Sequence, residues 1–178
     1  VFAKVAGTET PQGILLVMGQ KNPSLPERTE REKPLYVVMD GVQDPGNAGT
    51  IIRTADAVGA DGVILLKGSV DVYGDKAVRS TMGSIFRVPF YIASEGLPAA
   101  ISIIKENGVC VYAAALEGSV AFDSISYPIR RAFIIGNEAN GVSAPVLSAT
   151  DAAVRIPMQG QVESLNAAVS AAILMYQK

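Results

Sequence analysis

Leu35-Tyr36-Val37-Val38-Met39-Asp40-Gly41-Val42-Gln43-Asp44-Pro45-Gly46-Asn47-Ala48-Gly49-Thr50-Ile51-Ile52-Arg53-Thr54-Ala55-Asp56-Ala57-Val58-Gly59 is the stretch that decides the fold. Its first five residues are an unbroken apolar run, which suits a strand buried on both faces. A polar loop with one proline and two glycines follows. Ile51, Ile52, Ala55 and Val58 then recur at helical spacing. Asn47 reads as the N-cap of a helix from Ala48 to Val58, with Gly59 as its stop.

Downstream the pattern repeats. Gly62–Leu66 reads as a strand, and Asp75–Phe86 as a helix with Val78, Met82 and Ile85 on one side. Val88–Ile92 is a strand whose Pro89 favours a sheet edge. Leu97–Glu106 is an amphipathic helix ended by Gly108, and Val109–Ala114 a strand. Arg131–Ile135 and Ala152–Ile156 are further strands, and a last helix is expected over Ser164–Tyr176. Alternating apolar strands and helices predict an α/β domain, with a largely parallel sheet and helices on both faces.

Residues 1–33 read as a lead-in and 34–178 as the folded domain. Within the lead-in, Gly13–Met18 resembles a short strand, and the charged, proline-containing Lys21–Lys33 reads as a mobile linker. The chain opens on Val1-Phe2-Ala3-Lys4, without an apolar leader, and the expectation is that it starts inside a longer protein.

Of the 178 residues 49% are apolar, but no run approaches the roughly 18 that a membrane span needs. The single cysteine, Cys110, lies in an apolar run and is expected to be a buried thiol. One cysteine forms no internal disulfide, so a cytoplasmic location is expected. The absence of histidine excludes Ser-His and Cys-His nucleophile pairs and any histidine-based zinc centre, and no metal is expected. A net charge of −2 argues against a globally basic nucleic-acid binder. It leaves room for a local basic face: Lys67, Lys76, Arg79 and Arg87 either meet phosphates or are simply solvated.

Three polar loops follow strands: Asp44–Gly49, Gly136-Asn137-Glu138-Ala139-Asn140-Gly141, and Ile156–Asn166. In a parallel sheet such loops gather at the carboxyl edge, where ligands bind. Glycine admits close backbone approach, and side-chain amides add neutral hydrogen bonds. The first loop offers only Gly46-x-x-Gly49, too little for a dinucleotide fingerprint, and a P-loop is missing altogether. Neither Lys nor Arg occurs between Gly136 and Ala153 or between Ile156 and Tyr176, so a polyphosphate is disfavoured. A neutral or cationic ligand with an adenine or amide edge fits better.

The loops also carry a family resemblance. Asp44-Pro45-x-Asn47-x-Gly49 with Ile52-Arg53-Thr54-Ala55, then Ile135-Gly136-Asn137-Glu138-x-x-Gly141, then Ile156-Pro157-Met158 with Glu163-Ser164-Leu165-Asn166, resemble motifs 1, 2 and 3 of the SpoU (TrmH-like) branch of SPOUT RNA methyltransferases, in the same order. Thr10-Pro11-Gln12-Gly13-Ile14 resembles the link after a small N-terminal substrate-binding domain in that family. Arg79–Ser84 resembles its small-residue stretch, with Thr81 and Met82 in place of the more usual alanines.

The resemblance implies a 2′-O-ribose methyltransferase that uses S-adenosylmethionine on structured RNA, ribosomal rather than transfer RNA. The other readings are a tRNA ribose enzyme, a base-nitrogen enzyme and a non-catalytic knotted RNA-binding module. It further implies a C-terminal trefoil knot, an exception to the usual unknotted connections, and a homodimer with sites at the subunit interface. The last helix, crowded with Ala167, Ala168, Ser170, Ala171 and Ala172, suits a knot crossing, a dimer face or a plain core helix.

By the same resemblance, backbone groups of Gly136, Ile156 and Leu165 hold the cofactor, and Asn137, Met158, Asn166 and Ala168 line its pocket, with Ala114-Ala115 closing it. Arg53 is the expected key catalytic residue. A fixed guanidinium can stabilise the growing negative charge on a ribose oxygen, while its permanent charge makes it a poor proton acceptor. The substrate's phosphate is the other candidate to take the proton. Asn47 either caps its helix or also positions Arg53 or the ribose, and Glu138 either orients Arg53 or a partner-subunit group or is solvated. Ser164 and Asn166 begin the last helix, and Ser164 caps it, holds substrate or Arg53 in place, or does both.

Overall fold

A computed structural model describes Thr10 and residues 13–20, 32–93 and 97–177. Seven strands, β1 (Leu35–Asp40), β2 (Gly62–Leu65), β3 (Phe90–Ile92), β4 (Cys110–Ala114), β5 (Val120–Ala121), β6 (Arg131–Gly136) and β7 (Ala152–Arg155), form one sheet in the order β3-β2-β1-β6-β4-β7-β5. Every pairing is parallel, with Asp40 at the end of β1 in register with Gly136 at the end of β6. The helices are α1 (Pro45–Val58), α2 (Asp75–Ser80), α3 (Leu97–Glu106), α4 (Ala144–Ala149) and α5 (Ala167–Met175), with a 3₁₀ turn at Ser84–Phe86.

Parallel strands covered on both sides read as continuous apolar runs, and the core divides accordingly. Val37, Met39, Phe133 and Ile135 point to one face, where Ile51, Ile52 and Ala55 of α1 and Ala171 and Leu174 of α5 cover them. Tyr36, Val38, Ala132 and Ile134 point to the other, under Ile101 and Ile104 of α3 and Val146 of α4. The chain runs β1, β2, β3 toward one edge and then crosses to β4, and β6 later inserts between β1 and β4. That reversal opens a crevice at the carboxyl ends of the central strands.

Several boundaries differ from the sequence reading. The N-cap of α1 is Asp44, whose carboxylate accepts the Asn47 N–H at 2.8 Å, with Pro45 opening the helix. Asn47 therefore sits in the first turn with its side chain released from capping. Gly59 does stop the helix, at φ 71°. The helix expected over Asp75–Phe86 breaks after Ser80. Met82 (φ 49°) and Gly83 (φ 86°) adopt consecutive left-handed conformations, which turn Ile85 into the core and leave Met82 71% exposed.

The last helix starts at Ala167 rather than Ser164, because the Asn166 carboxamide takes the capping position. Residues 13–18 form no strand: they have no neighbour to pair with among the described residues, and Ile14–Met18 lie exposed. Residues 21–31 of the expected linker lie outside the described residues. Cys110 is only half-buried. β3, after Pro89, does occupy a sheet edge.

Two close contacts fix the helices and the long connection. On α1, a Cβ at Gly49 would lie 2.2 Å from the Ser80 Cβ, so α1 and α2 meet with no room for a side chain. Between β5 and β6, Tyr127 stacks edge-on against Tyr112 (4.9 Å) and Phe133 (5.3 Å) and donates its hydroxyl to the Phe122 carbonyl at 2.8 Å. Burial, with Tyr112 next in importance, pushes the Tyr127 phenol up to about 12.

In an open helix interior Gly→Ala stabilises by up to about 1 kcal/mol. Here Gly49→Ala is expected to reverse that sign and cost about 1–3 kcal/mol through overpacking, read as a lower midpoint in thermal unfolding. A raised midpoint would show that α2 can move away freely.

Candidate functional site

The second polar loop begins where β6 ends, and Gly136 is there for a steric reason. A Cβ on it would lie 2.1 Å from the Gly141 carbonyl carbon and 2.2 Å from the Val142 nitrogen. The chain thus doubles back against its own strand end. Asn137 and Gly141 exchange backbone hydrogen bonds at 2.9 Å each way, and Gly141 takes φ 68°. The Asn137 carboxamide spans both sides of the turn. Its Nδ2 donates to the Gly41 carbonyl beyond β1 (2.8 Å), and its Oδ1 accepts from the Ala139 and Asn140 N–H groups (3.0 Å each). At the loop's exit the Asp40 carboxylate, 7% exposed, accepts the Ser143 N–H at 2.7 Å. Asp40 was absent from the sequence reading, although an acid closing a buried strand was there to be noticed.

Three loops are joined by a relay of side chains. Glu138 Oε1 accepts from Asn47 Nδ2 (3.0 Å) and from the Asp44 N–H (3.1 Å), and its Oε2 accepts from the Gln43 N–H (3.1 Å). Asn47 Oδ1 in turn accepts from Asn166 Nδ2 at 2.8 Å. Asn166 Oδ1 caps α5, accepting from the Ala168 N–H (2.8 Å) and the Val169 N–H (3.3 Å). Each carboxamide donates at one end and accepts at the other, so the relay fixes the orientation of both. Burial acts to raise the Glu138 pKa, but the hydrogen bonds from Asn47, Gln43 and Asp44 outweigh it and hold the carboxyl below its ordinary 4.5.

Beside this relay lies a cleft of about 850 Å³ at the carboxyl ends of β4, β6 and β7. Gly136, Asn137, Glu138, Ile156, Met158, Ser164, Leu165 and Asn166 line it, together with Ala114 and Ala115. Ala168 is placed differently: it is 3% exposed, in the core under the start of α5, and Ala167 and Ser170 face the cleft from that helix instead. Arg53 and Asn47 are not in the lining. Asn47 reaches the cleft through Glu138 and Asn166. Arg53 is exposed on α1, and Glu138 bonds Asn47 rather than Arg53.

The walls suit a cationic ligand with an apolar ring. Ile156, Met158, Leu165 and Leu116 form apolar surface, while Glu117, Glu138 and Glu163 set three carboxylates against the single cation Arg155. The Arg155 guanidinium donates to the Ser119 carbonyl, which ties that cation to the β4–β5 loop. Leu116 and Glu117 were not expected from the sequence. They follow directly on the β4 end at Ala114, so the strand-end rule that found the other loops applied to them too. Among the described residues no cluster of His, Cys, Asp and Glu could hold a metal ion.

Because the folded-state pKa of Glu138 is lowered, its contribution to stability is present above the unfolded value and is lost as pH falls through the folded value. The Gln43 and Asp44 amides should therefore lose hydrogen-exchange protection on the acid side of pH 4.5. In Glu138→Gln their protection should be lower at neutral pH and free of that acid step. An identical profile in both proteins would mean that the relay does not hold the first loop.

Residues 34–176 match the family model described as the SpoU rRNA Methylase family. The chain is 42% identical over 175 residues to the 23S rRNA (guanosine(2553)-2′-O)-methyltransferase RlmP of Bacillus subtilis (strain 168), covering 98% of this chain and 68% of that protein. It is 35% identical to a tRNA/rRNA methyltransferase of Synechocystis sp., uncharacterized, covering 99% of this chain and 64% of that one. The crystal structure of an AdoMet-bound rRNA methyltransferase from Sinorhizobium meliloti superposes with a TM-score of 0.82 at 37% identity, over 88% of this chain and 60% of that one. The chain thus spans about two thirds of the length of the proteins it matches. The match runs through all three loops of the relay and both walls of the cleft, and the chain belongs to the SpoU rRNA methylase family.

Proposed function

We propose that this chain is the methyltransferase domain of an S-adenosylmethionine-dependent RNA 2′-O-ribose methyltransferase acting on ribosomal RNA. The observation that carries the reading is the relay from Glu138 through Asn47 to Asn166, which locks three separate loops around an acidic, apolar-walled cleft. The relative from Bacillus subtilis is named for 2′-O-methylation of 23S rRNA, which supports ribosomal over transfer RNA.

The cleft fits the cofactor on its own features. Its volume of about 850 Å³ is in the range of small-molecule sites, and three carboxylates complement a sulfonium and an α-ammonium group. Ile156, Met158 and Leu165 offer a wall for adenine, and backbone groups of Gly136, Ile156 and Leu165 read its edge. Bound there, S-adenosylmethionine supplies an electrophilic methyl group for the ribose 2′-oxygen.

Arg53 stabilises the negative charge that develops on that oxygen, and the proton passes to the RNA phosphate. Asn47 and Glu138 keep the start of α1 in place. Asn166 and Ser164 position the ribose. Arg53 lies outside its own protomer's cleft. In the reading proposed here a homodimer brings it to the partner's cofactor. α5, apolar on nearly every side with Val169 (46%) and Tyr176 (63%) exposed, supports such a face. The passage from β7 back to α5 across the ends of β4 and β6 supports a chain threaded as a trefoil knot.

Calorimetry with S-adenosylmethionine should give one site per chain, and binding should survive Arg53→Ala within about tenfold. Turnover on ribosomal RNA should fall about a hundredfold or more. Arg53→Lys should not restore it, because an ammonium lacks the planar fork. The product should resist alkaline cleavage at a single position. Absence of cofactor binding would leave a non-catalytic RNA-binding module, and an active Arg53→Ala would remove Arg53 from its role.

A further inference from the structure

Next to Arg53 the structure builds a surface that the reaction just described does not use. Along α1, Gly49, Arg53 and Asp56 form one stripe at helical spacing. Gly49 abuts Ser80, and the Asp56 carboxylate accepts from the Ser84 hydroxyl (2.8 Å) and from Arg87 Nη2 (2.6 Å) and Nε (2.8 Å). The turn Thr81-Met82-Gly83 therefore runs alongside Arg53. Arg87, through its hydrogen bonds first and Ser84 next, holds the Asp56 carboxyl below the ordinary carboxylate range, as a pinned turn requires.

That pinned turn exposes apolar surface. Met82 is 71% and Phe86 68% exposed. Met82 also adopts φ 49°, which is unfavourable for a residue with a Cβ and is not offset by burial. On the preceding helix α2 lie Lys76 (69% exposed) and Arg79 (51%), in exposed ion pairs with Asp44 (3.9 Å) and Asp75 (4.0 Å). Between residues 67 and 87 Lys and Arg outnumber acids by two, within a chain of net charge −2. Phe, Met and Arg are also enriched at interfaces between copies, but the surplus of cations here, in a chain of negative net charge, favours a polyanion. The exposed ring and the cations match the pattern by which proteins hold unpaired nucleotides, with stacking on aromatic faces and cations on the backbone.

We infer that the Met82–Phe86 turn is a stacking platform for an unpaired base of the RNA, beside the nucleotide presented to Arg53. Lys76 and Arg79 neutralise phosphates, and Arg87 fixes the turn to α1 instead of meeting RNA. The inference rests on the methyltransferase reading above.

The chain contains no tryptophan, so Phe86→Trp introduces a single reporter. Its emission should be that of a solvated indole in the protein alone. It should be quenched on titration with the single strand A₁₂ at low salt, and much less by an A₁₂·U₁₂ duplex. Phe86→Ala should weaken A₁₂ binding, followed by anisotropy of labelled A₁₂, about tenfold. Lys76→Ala with Arg79→Ala should flatten the salt dependence. Parallel calorimetry with S-adenosylmethionine separates the failures: lost cofactor binding overturns the methyltransferase reading itself. Intact cofactor binding overturns the platform alone if A₁₂ fails to bind or binds without quenching. Indole emission already blue-shifted without RNA, and reddening on dilution, would assign the turn to a second copy and overturn the platform.

Discussion

The structure around the cleft depends on one constraint: two asparagine carboxamides must each donate in one direction and accept in the other. Asn47 donates a hydrogen bond to Glu138 and accepts one from Asn166, and Asn166 accepts from the free N–H groups of α5. An amide is suited to this because it carries both functions at fixed separation, whereas a carboxylate only accepts and an ammonium only donates. Reversing either amide would set donor against donor. The relay therefore admits one arrangement of the three loops. It ends on a carboxylate whose pKa burial acts to raise but the Asn47 carboxamide and backbone N–H groups hold low.

This relay also explains how irregular backbone is tolerated at the carboxyl edge. Loops lack the ladder bonds of the sheet, so their polar groups need other partners. Asn137 supplies them on one side, bonding the turn that leaves β6 and the carbonyl beyond β1, and Asp40 supplies them on the other. Of the side chains that line the cleft, the apolar ones form its wall and the ionised ones are mainly negative. Arg155, its one cation, is drawn off to the β4–β5 loop. The cleft can thus hold a cation without a dedicated ion pair, through a field of partly solvated carboxylates.

Arg53 stands apart from this machinery inside the protomer, and the reason is geometric. α1 buries Ile51, Ile52 and Ala55 against the sheet and Gly49 against α2. The remaining direction for residue 53 leads away from its own cleft. The separation of a fixed binding cleft from an exposed arginine is what makes a two-subunit site an economical reading of the chain. It also ties the electrostatics of α1 to the pinned turn beside it.

Most of the architecture was legible beforehand. Unbroken apolar runs such as Leu35–Met39 and Ala132–Ile135 are diagnostic of strands covered on both faces, and Gly59 and Pro89 marked a helix end and a sheet edge. The three loops, and the lack of cations in the later two, already specified a carboxyl-edge site for something other than a polyphosphate. The expectation of a single helix over Asp75–Phe86 failed because local periodicity carries no knowledge of the neighbour: Met82 fits the helical pattern, but α1 requires a bend there. Asn47 and Ser164 were assigned as caps because both residue types cap helices, and the competition was decided by Asp44 and Asn166. The sequence by itself determined which segments are buried, which loops are polar and what charge they carry, since these are properties of residues and their spacing. The pairing of Asn47 with Glu138 and Asn166, across 91 and 119 positions of chain, was settled only by the tertiary fold. Hydrogen bonds of that separation exist only once the sheet has brought the strand ends to a common edge.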